Sequence, residues 1–261
     1  MIKEKISELT GKKNVFLTKS GDHSIKYILK LVKSLNKKVL LQDQGGWITY
    51  QQFCKKFNIE FEELLTDFGI IDPKYLDQHK EYVLLANSMP GYHALQNMKK
   101  LLEECQKNQI LLVNDASGSI GTQQAMFGDI IFGSFGKNKP INLEDGGFIA
   151  TDSSEYLDFF KKKYEEYKID STKFEKEAEK LSAKLKKWKN TRQKIIKDLE
   201  DLRIIHPYHD GINVIVAFSN DKEREKLINY CKQNNYEFRE CPMQIRVLEK
   251  AISIEIKRIQ K

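Results

Sequence analysis

From the N-terminus to about residue 152, short apolar runs alternate with stretches whose apolar positions recur every three to four residues. The runs "NVFLT", "KVLLQ", "ELLTDF", "EYVLLAN", "ILLVNDA", "DIIFGSF" and "GGFIAT" predict seven strands. Several are apolar throughout, the pattern of parallel strands covered on both faces. Between the first two runs, Ile25, Ile28, Leu29, Val32 and Leu35 share one helical face. Between the fourth and fifth, Leu95, Met98, Leu101, Leu102 and Cys105 share another. This repetition predicts an α/β fold built on an open, mainly parallel sheet, with ligands expected beyond the carboxyl ends of its strands.

Past residue 153 the pattern changes. Residues 154–203 read as long connecting helices with few breakers, and Gly211 then opens a second mixed region. There, "INVIVAFS" predicts a strand, "DKEREKLINYCKQNN" a helix, and "YEFRECP" and "AISIEIKRI" further strands. The expected organisation is a large α/β domain over 1–153, the helices over 154–203, and a small α+β domain over 204–261.

Composition narrows the class. The net charge of +7 raises nucleic acid as a partner, but a third of the lysine lies between Phe159 and Leu202, interleaved with glutamate. Mixed signs at helical spacing describe a solvated helix surface, and no nucleic-acid-binding motif accompanies them. No run reaches the length of a membrane span, and "MIKEKISELTGKKN" lacks the apolar block of a secretory signal, so a soluble cytoplasmic protein is expected. Cys54, Cys105, Cys231 and Cys241 show no metal-ligand spacing, and no disulfide framework is expected.

Three strand ends carry candidate chemistry. After "NVFLT" comes "KSGDHSI", in which Gly21 opens a helix whose free N–H groups can seat a phosphate, with Ser20 or Ser24 adding a hydroxyl. The same residues also suit a plain helix cap, and the Asp22 carboxylate opposes phosphate unless it points away. After "ILLVN", Asp115 suits a ligand cation or a cap equally well. After "DIIFG" comes "SFGKNKPINLEDGG", where Lys137 and Lys139 are either solvated loop residues or a source of one reactive amine.

In combination these segments resemble fold-type-I pyridoxal-phosphate enzymes, and above all the DegT/DnrJ/EryC1/StrS sugar-aminotransferase family. That family has Ser-Phe, a lysine five positions after the serine, and Gly-Gly seven and eight positions after the lysine. Ser134, Phe135, Lys139, Gly146 and Gly147 fit this register, and Lys137 does not. The resemblance, which covers roughly residues 14–152, implies that Lys139 forms a Schiff base with pyridoxal 5'-phosphate and that Ser134 binds its phosphate. It implies further that Asp115 partners the pyridine nitrogen and that Gly21, the Asp22 N–H and Ser24 belong to the phosphate turn. Trp47, in "QGGWITYQQF", either stacks on the cofactor or is a partly buried core residue.

From the C-terminal region, Arg246 and Arg258 are candidates for a substrate carboxylate, or plain surface arginines, and His206 and His209 either line the site or belong to a loop. The implied activity is amino-group transfer on a small-molecule amine or amino acid, by a homodimer. The chain also departs from the family pattern. Gly118 replaces a glutamine, Asp22 replaces the threonine of the phosphate turn, and the chain is shorter than typical relatives. A catalytically silent relative that binds a ligand or serves as a scaffold is therefore the alternative.

Overall fold

A computed structural model describes residues 2–243 and 245–259. Helix α1 (Ile2–Thr10) leads into β1 (Asn14–Thr18), α2 (Gly21–Ser34), β2 (Val39–Gln42), α3 (Thr49–Phe57) and β3 (Phe61–Leu64). A two-stranded hairpin, β4 (Thr66–Asp67) and β5 (Ile70–Ile71), precedes β6 (Val83–Asn87), α4 (Met98–Lys107) and β7 (Leu111–Asp115). Strands β8 (Ile130–Ser134) and β9 (Gly147–Thr151) complete a seven-stranded sheet of order β1-β9-β8-β7-β6-β2-β3.

Strands β3, β2, β6, β7 and β8 run parallel, whereas β9 is antiparallel to both β8 and β1. The reversal follows from the connection. Residues 135–146 return from β8 to β9 with no crossover helix, so β9 runs back along its neighbour. Strands β2, β6 and β9 are buried along their whole length, which explains their unbroken apolar sequences. Helices cover both faces. One core gathers α2, α3 and α5 (Ser154–Lys163) with the sheet, and another holds Phe135, Ile141 and Leu143 with Phe174 of α6 (Ser171–Glu179).

Three features depart from the sequence pattern. The run "ELLTDF" does not form one strand, because β3 is an edge strand with exposed Glu62 and Glu63 and ends at Leu64. The helical stretch breaks over 164–170, where Tyr164 stacks on Tyr27 with ring centroids 3.7 Å apart and the Tyr167 N–H bonds Leu17 O at 3.1 Å. In the C-terminal region a short β10 (Arg203–Ile205), absent from the pattern, joins β11 (Val214–Ala217), β12 (Phe238–Cys241) and β13 (Ala251–Ile254). These form an antiparallel sheet of order β10-β11-β13-β12, packed against α7 (Leu181–Asp198) and α8 (Asp221–Gln233). Among the described residues no helix is long and apolar enough to cross a membrane.

The two sheets meet through the segments 88–96 and 206–213. The Leu95 N–H bonds Asp210 O at 2.8 Å, and the Arg192 guanidinium donates to the carbonyls of His206, His209 and Asn213. Backbone approach here is so close that a Cβ on Gly211 would lie 1.7 Å from His93 O. Gly211→Ala is therefore expected to destabilise the protein by about 1–3 kcal/mol or more, through forced backbone displacement. Urea denaturation monitored by circular dichroism checks this.

Candidate active site

Four of the five parallel strands end in polar side chains: Gln42 on β2, Asn87 on β6, Asp115 on β7 and Ser134 on β8. Beyond these ends, between the large sheet and β12–β13, lies a cavity of about 800 Å³. Gly21, Asp22, Trp47, Asp115, Ser134 and Lys139 line it. Tertiary folding thus gathers residues more than a hundred positions apart in the chain.

Asp115 is buried at the last position of β7. Its Oδ1 accepts the Ser117 N–H at 2.8 Å, and its Oδ2 accepts the hydroxyl proton of Tyr50 from α3. Burial, followed by the adjacent Asp115 charge, pushes the Tyr50 phenol well above its usual range, so it remains a donor. Tyr50 is one residue the sequence reading missed. It lies inside "QGGWITYQQF", three positions after Trp47, but only the packing of α3 over the strand ends brings it to Asp115. A carboxylate has acceptor capacity beyond two bonds, so Asp115 can still meet a cation.

The start of α2 and the end of β8 are pressed together. A Cβ on Gly21 would lie 2.8 Å from the Ser134 Cβ, so only glycine lets the helix start reach this serine. Ser20 caps the helix, its Oγ accepting the His23 N–H at 3.3 Å, while the Asp22 N–H has no acceptor among the described residues. The Asp22 carboxylate accepts from Trp47 Nε1 at 2.9 Å and Thr49 Oγ1 at 3.1 Å. These bonds hold the carboxylate toward α3 and fix the half-buried indole. Ser134 Oγ accepts the Gly136 N–H at 3.1 Å and keeps its own proton to donate.

Lys139 and Lys137 differ as their register suggests. Lys137 is exposed, whereas Lys139 is half-buried, and among the described residues its amine has no hydrogen-bond or ion-pair partner. Desolvation pushes the Lys139 amine below the usual lysine range, against the opposing pull of Asp115 and Asp22. The loop around it is pinned rather than solvated. Pro140, Ile141 and Leu143 are buried, Lys184 Nζ donates to Pro140 O at 2.9 Å, and Lys173 Nζ donates to Leu143 O at 2.6 Å. These two lysines come from the connecting helices, whose charge the sequence pattern assigns wholly to a solvated surface.

Other candidates are placed elsewhere. Ser24 does not line the cavity. Its hydroxyl is buried between α2 and the sheet, within 2.7 Å of Thr18 Oγ1 and 3.2 Å of Phe148 O. Arg246 does not line it either, because its guanidinium donates to the carbonyls of Gln42 and Asp43 and pairs with Glu63 at 2.7 Å. Arg258 does line the cavity, with its Nε 3.0 Å from Glu255 Oε2. His206 and His209 bond backbone oxygens of Asp67 and Leu95, at 3.0 Å each, and belong to the contact between the two sheets. Lys257, Glu255 and His93 line the cavity and carried no signal in the sequence, since each is one polar residue in an otherwise ordinary strand end or loop.

Residues 78–180 match the DegT/DnrJ/EryC1/StrS aminotransferase family, and residues 180–261 match the MJ1341 family C-terminal domain. A search of curated proteins finds no match. Among solved structures, the chain is similar to Helicobacter pylori PseC, an aminotransferase involved in the biosynthesis of pseudoaminic acid. The match has TM-score 0.75 at 13% identity and covers 97% of this chain and 84% of that one. It is similar also to a DegT DnrJ EryC1 StrS aminotransferase from Brucella abortus, with TM-score 0.74 at 12% identity over 99% and 85% of the two chains. Escherichia coli GDP-4-keto-6-deoxy-D-mannose-3-dehydratase, with bound hydrated PLP, gives TM-score 0.74 at 12% identity over 97% and 86%.

The site geometry makes one prediction about stability. Tyr50→Phe removes a donor from a buried carboxylate and is expected to cost about 1–3 kcal/mol in urea denaturation near neutral pH. With this site at the strand ends and these similarities, the chain has the fold of the fold-type-I pyridoxal-phosphate aminotransferases and resembles the DegT/DnrJ/EryC1/StrS family over residues 78–180.

Proposed function

We propose that the protein is a pyridoxal-phosphate-dependent enzyme of the aminotransferase type, with Lys139 as the residue that carries the cofactor. The observation that supports this most directly is the Lys139 amine. It is unpartnered among the described residues, pushed down by burial, and set in the same cavity as Asp115 and the start of α2. The residues present fit the group. The helix start, with the free Asp22 N–H, and the Ser134 hydroxyl suit a phosphate. The Asp115 carboxylate suits a protonated ring nitrogen, and the fixed Trp47 indole offers an aromatic surface.

When bound, pyridoxal phosphate supplies an aldehyde carbon that an amine can attack and a cationic ring that draws electrons from the substrate Cα. Lys139 Nζ, with its basicity reduced by burial, is in its neutral form over a wider pH range than free lysine. It is thus able both to attack and to take a proton from Cα and return it. Asp115, held by Tyr50 and Ser117, would present its carboxylate to the ring. The amine or amino-acid substrate and the homodimer implied by the resemblance belong to the same proposal.

One observation favours the second reading, a silent relative. The Tyr50 hydroxyl takes up one of the acceptor positions of Asp115 that a ring nitrogen would otherwise share. Two measurements separate the readings. Purified protein incubated with pyridoxal phosphate and reduced with borohydride is expected to carry the label on the Lys139 peptide. Lys139→Ala should abolish the label, and Lys137→Ala should retain it. Protein that never becomes labelled overturns the cofactor assignment. Where the label forms, loss of the cofactor's visible absorbance on adding amino donors marks an enzyme, and its persistence across a donor panel marks the silent relative.

A further inference from the structure

The cavity wall contributed by the C-terminal sheet and the segment after β6 contains a hydrogen-bond donor without an acceptor. His93 is 4% exposed and lines the cavity, and its Nδ1 has no partner among the described residues. Its Nε2 lies 3.1 Å from Asn213 Nδ2. The orientation of that amide is set by Glu255, whose Oε1 lies 3.0 Å from the same Asn213 nitrogen and 2.7 Å from Ser253 Oγ. Burial raises the Glu255 pKa, but Lys257, Ser253 and Arg258 outweigh it and hold the carboxyl below its usual range, so it only accepts. Asn213 therefore donates one hydrogen to Glu255 and the other to His93 Nε2, which leaves the imidazole proton on Nδ1. Desolvation, reinforced by the charges of Lys257, Arg192 and Lys139, keeps the ring neutral. A buried N–H without an acceptor is rare in folded proteins and calls for an acceptor that the described residues do not supply.

The charge on this wall points to the kind of atom. Lys257 lines the cavity with its Nζ 3.5 Å from Glu255 Oε2, and Arg258 Nε lies 3.0 Å from the same oxygen. Arg258 also faces Glu237, with its Nη1 3.7 Å from Glu237 Oε2. Glu240, a further acidic residue on this side, is paired with Arg224 at 2.5 Å. Arg239 lines the cavity with no ion-pair partner among the described residues, so the wall keeps an excess of positive charge.

We propose that the His93 Nδ1–H and the Lys257 ammonium form a seat for an oxyanion, a carboxylate or a phosphate, carried by the amine substrate. The proposal deepens the function inferred above and rests on that reading for the amine, whereas the oxyanion seat stands on the wall itself. It replaces the arginine expected from the sequence with a lysine and a tautomer-locked histidine. Burial lowers the Lys257 pKa to about 8, with Glu255 opposing and Lys139 and Arg258 reinforcing the shift. Protonated Lys257 is the binding form, so affinity falls as pH rises through about 8. Across that range His93 stays neutral and Glu255 stays ionised.

Calorimetric titration of the full chain at pH 7, with and without pyridoxal phosphate, tests the seat with propionate, methyl phosphate and neutral propionamide. Binding of propionate, of methyl phosphate or of both, but not of propionamide, is expected, and the preferred probe tells carboxylate from phosphate. Lys257→Ala is expected to weaken that binding about tenfold or more. Lys257→Arg should retain it and remove its decline above pH 8. Parent protein that binds neither anion, or a Lys257→Ala variant that binds as the parent does, overturns the proposal. Nitrogen NMR of the parent tests the histidine without a variant. A protonated Nδ1 whose proton shifts on adding the anion is expected, and a protonated Nε2 overturns the assignment. Lys257-dependent anion binding in a protein that never takes up pyridoxal phosphate would sink the proposed function and leave the seat standing. Cofactor uptake without that binding does the reverse.

Discussion

A carboxylate held away from water at the end of β7 is the constraint around which the site is organised. An ionised Asp115 in that position is tolerable only with donors around it, and it has two, the Ser117 N–H and the Tyr50 hydroxyl. Each donor fixes a different piece of chain. Ser117 also accepts the Ser134 N–H at 3.1 Å, which ties the end of β7 to the end of β8. Tyr50 ties α3, and with it Trp47, to the same point. The negative charge then faces a cavity in which the Lys139 amine lies desolvated and unpaired. Carboxylate, amine and helix start are thus held apart, each with bonding capacity left for a ligand.

The lysine loop shows how an apparently wet segment is made rigid. Its glycines, asparagine and proline have the composition of a solvent-facing turn, yet Pro140, Ile141 and Leu143 are buried beside Phe135 and Phe174. The carbonyls of Pro140 and Leu143 would lose water on burial, and the amines of Lys184 and Lys173 replace it. The loop that positions Lys139 therefore depends on helices that follow it in sequence. The C-terminal sheet completes the opposite wall in the same manner, with Glu255 ordering Asn213, Asn213 ordering His93, and the close contact at Gly211 holding the segments together.

The residues that could be read in advance are those whose signal is local. Lys139 was separated from Lys137 by its spacing from Ser134 and Gly146-Gly147, and in the structure the two differ in burial accordingly. Gly21 was legible as the start of a helix after an apolar strand, and Asp115 as a charge closing one. Ser24 and Arg246 had the right chemistry on the wrong side of their elements, and one helical turn or one backbone carbonyl is enough to remove a side chain from a cavity. Tyr50 and His93 could not have been found by spacing, since their partners lie 65 and 120 residues away in Asp115 and Asn213.

By itself, the sequence determined six of the seven strands of the large sheet to within a few residues, most of the helices between them, and the order in which the candidate site residues meet the strand ends. These depend on periodicity and on turn chemistry, which act over a few residues. Only the tertiary structure decided that β9 returns antiparallel, that two surface-patterned lysines pin the Lys139 loop, and that a second charged wall closes the cavity. Burial and electrostatics govern these features. Both depend on which distant segments exclude water from a given side chain, and that is settled only when the sheets and helices have packed.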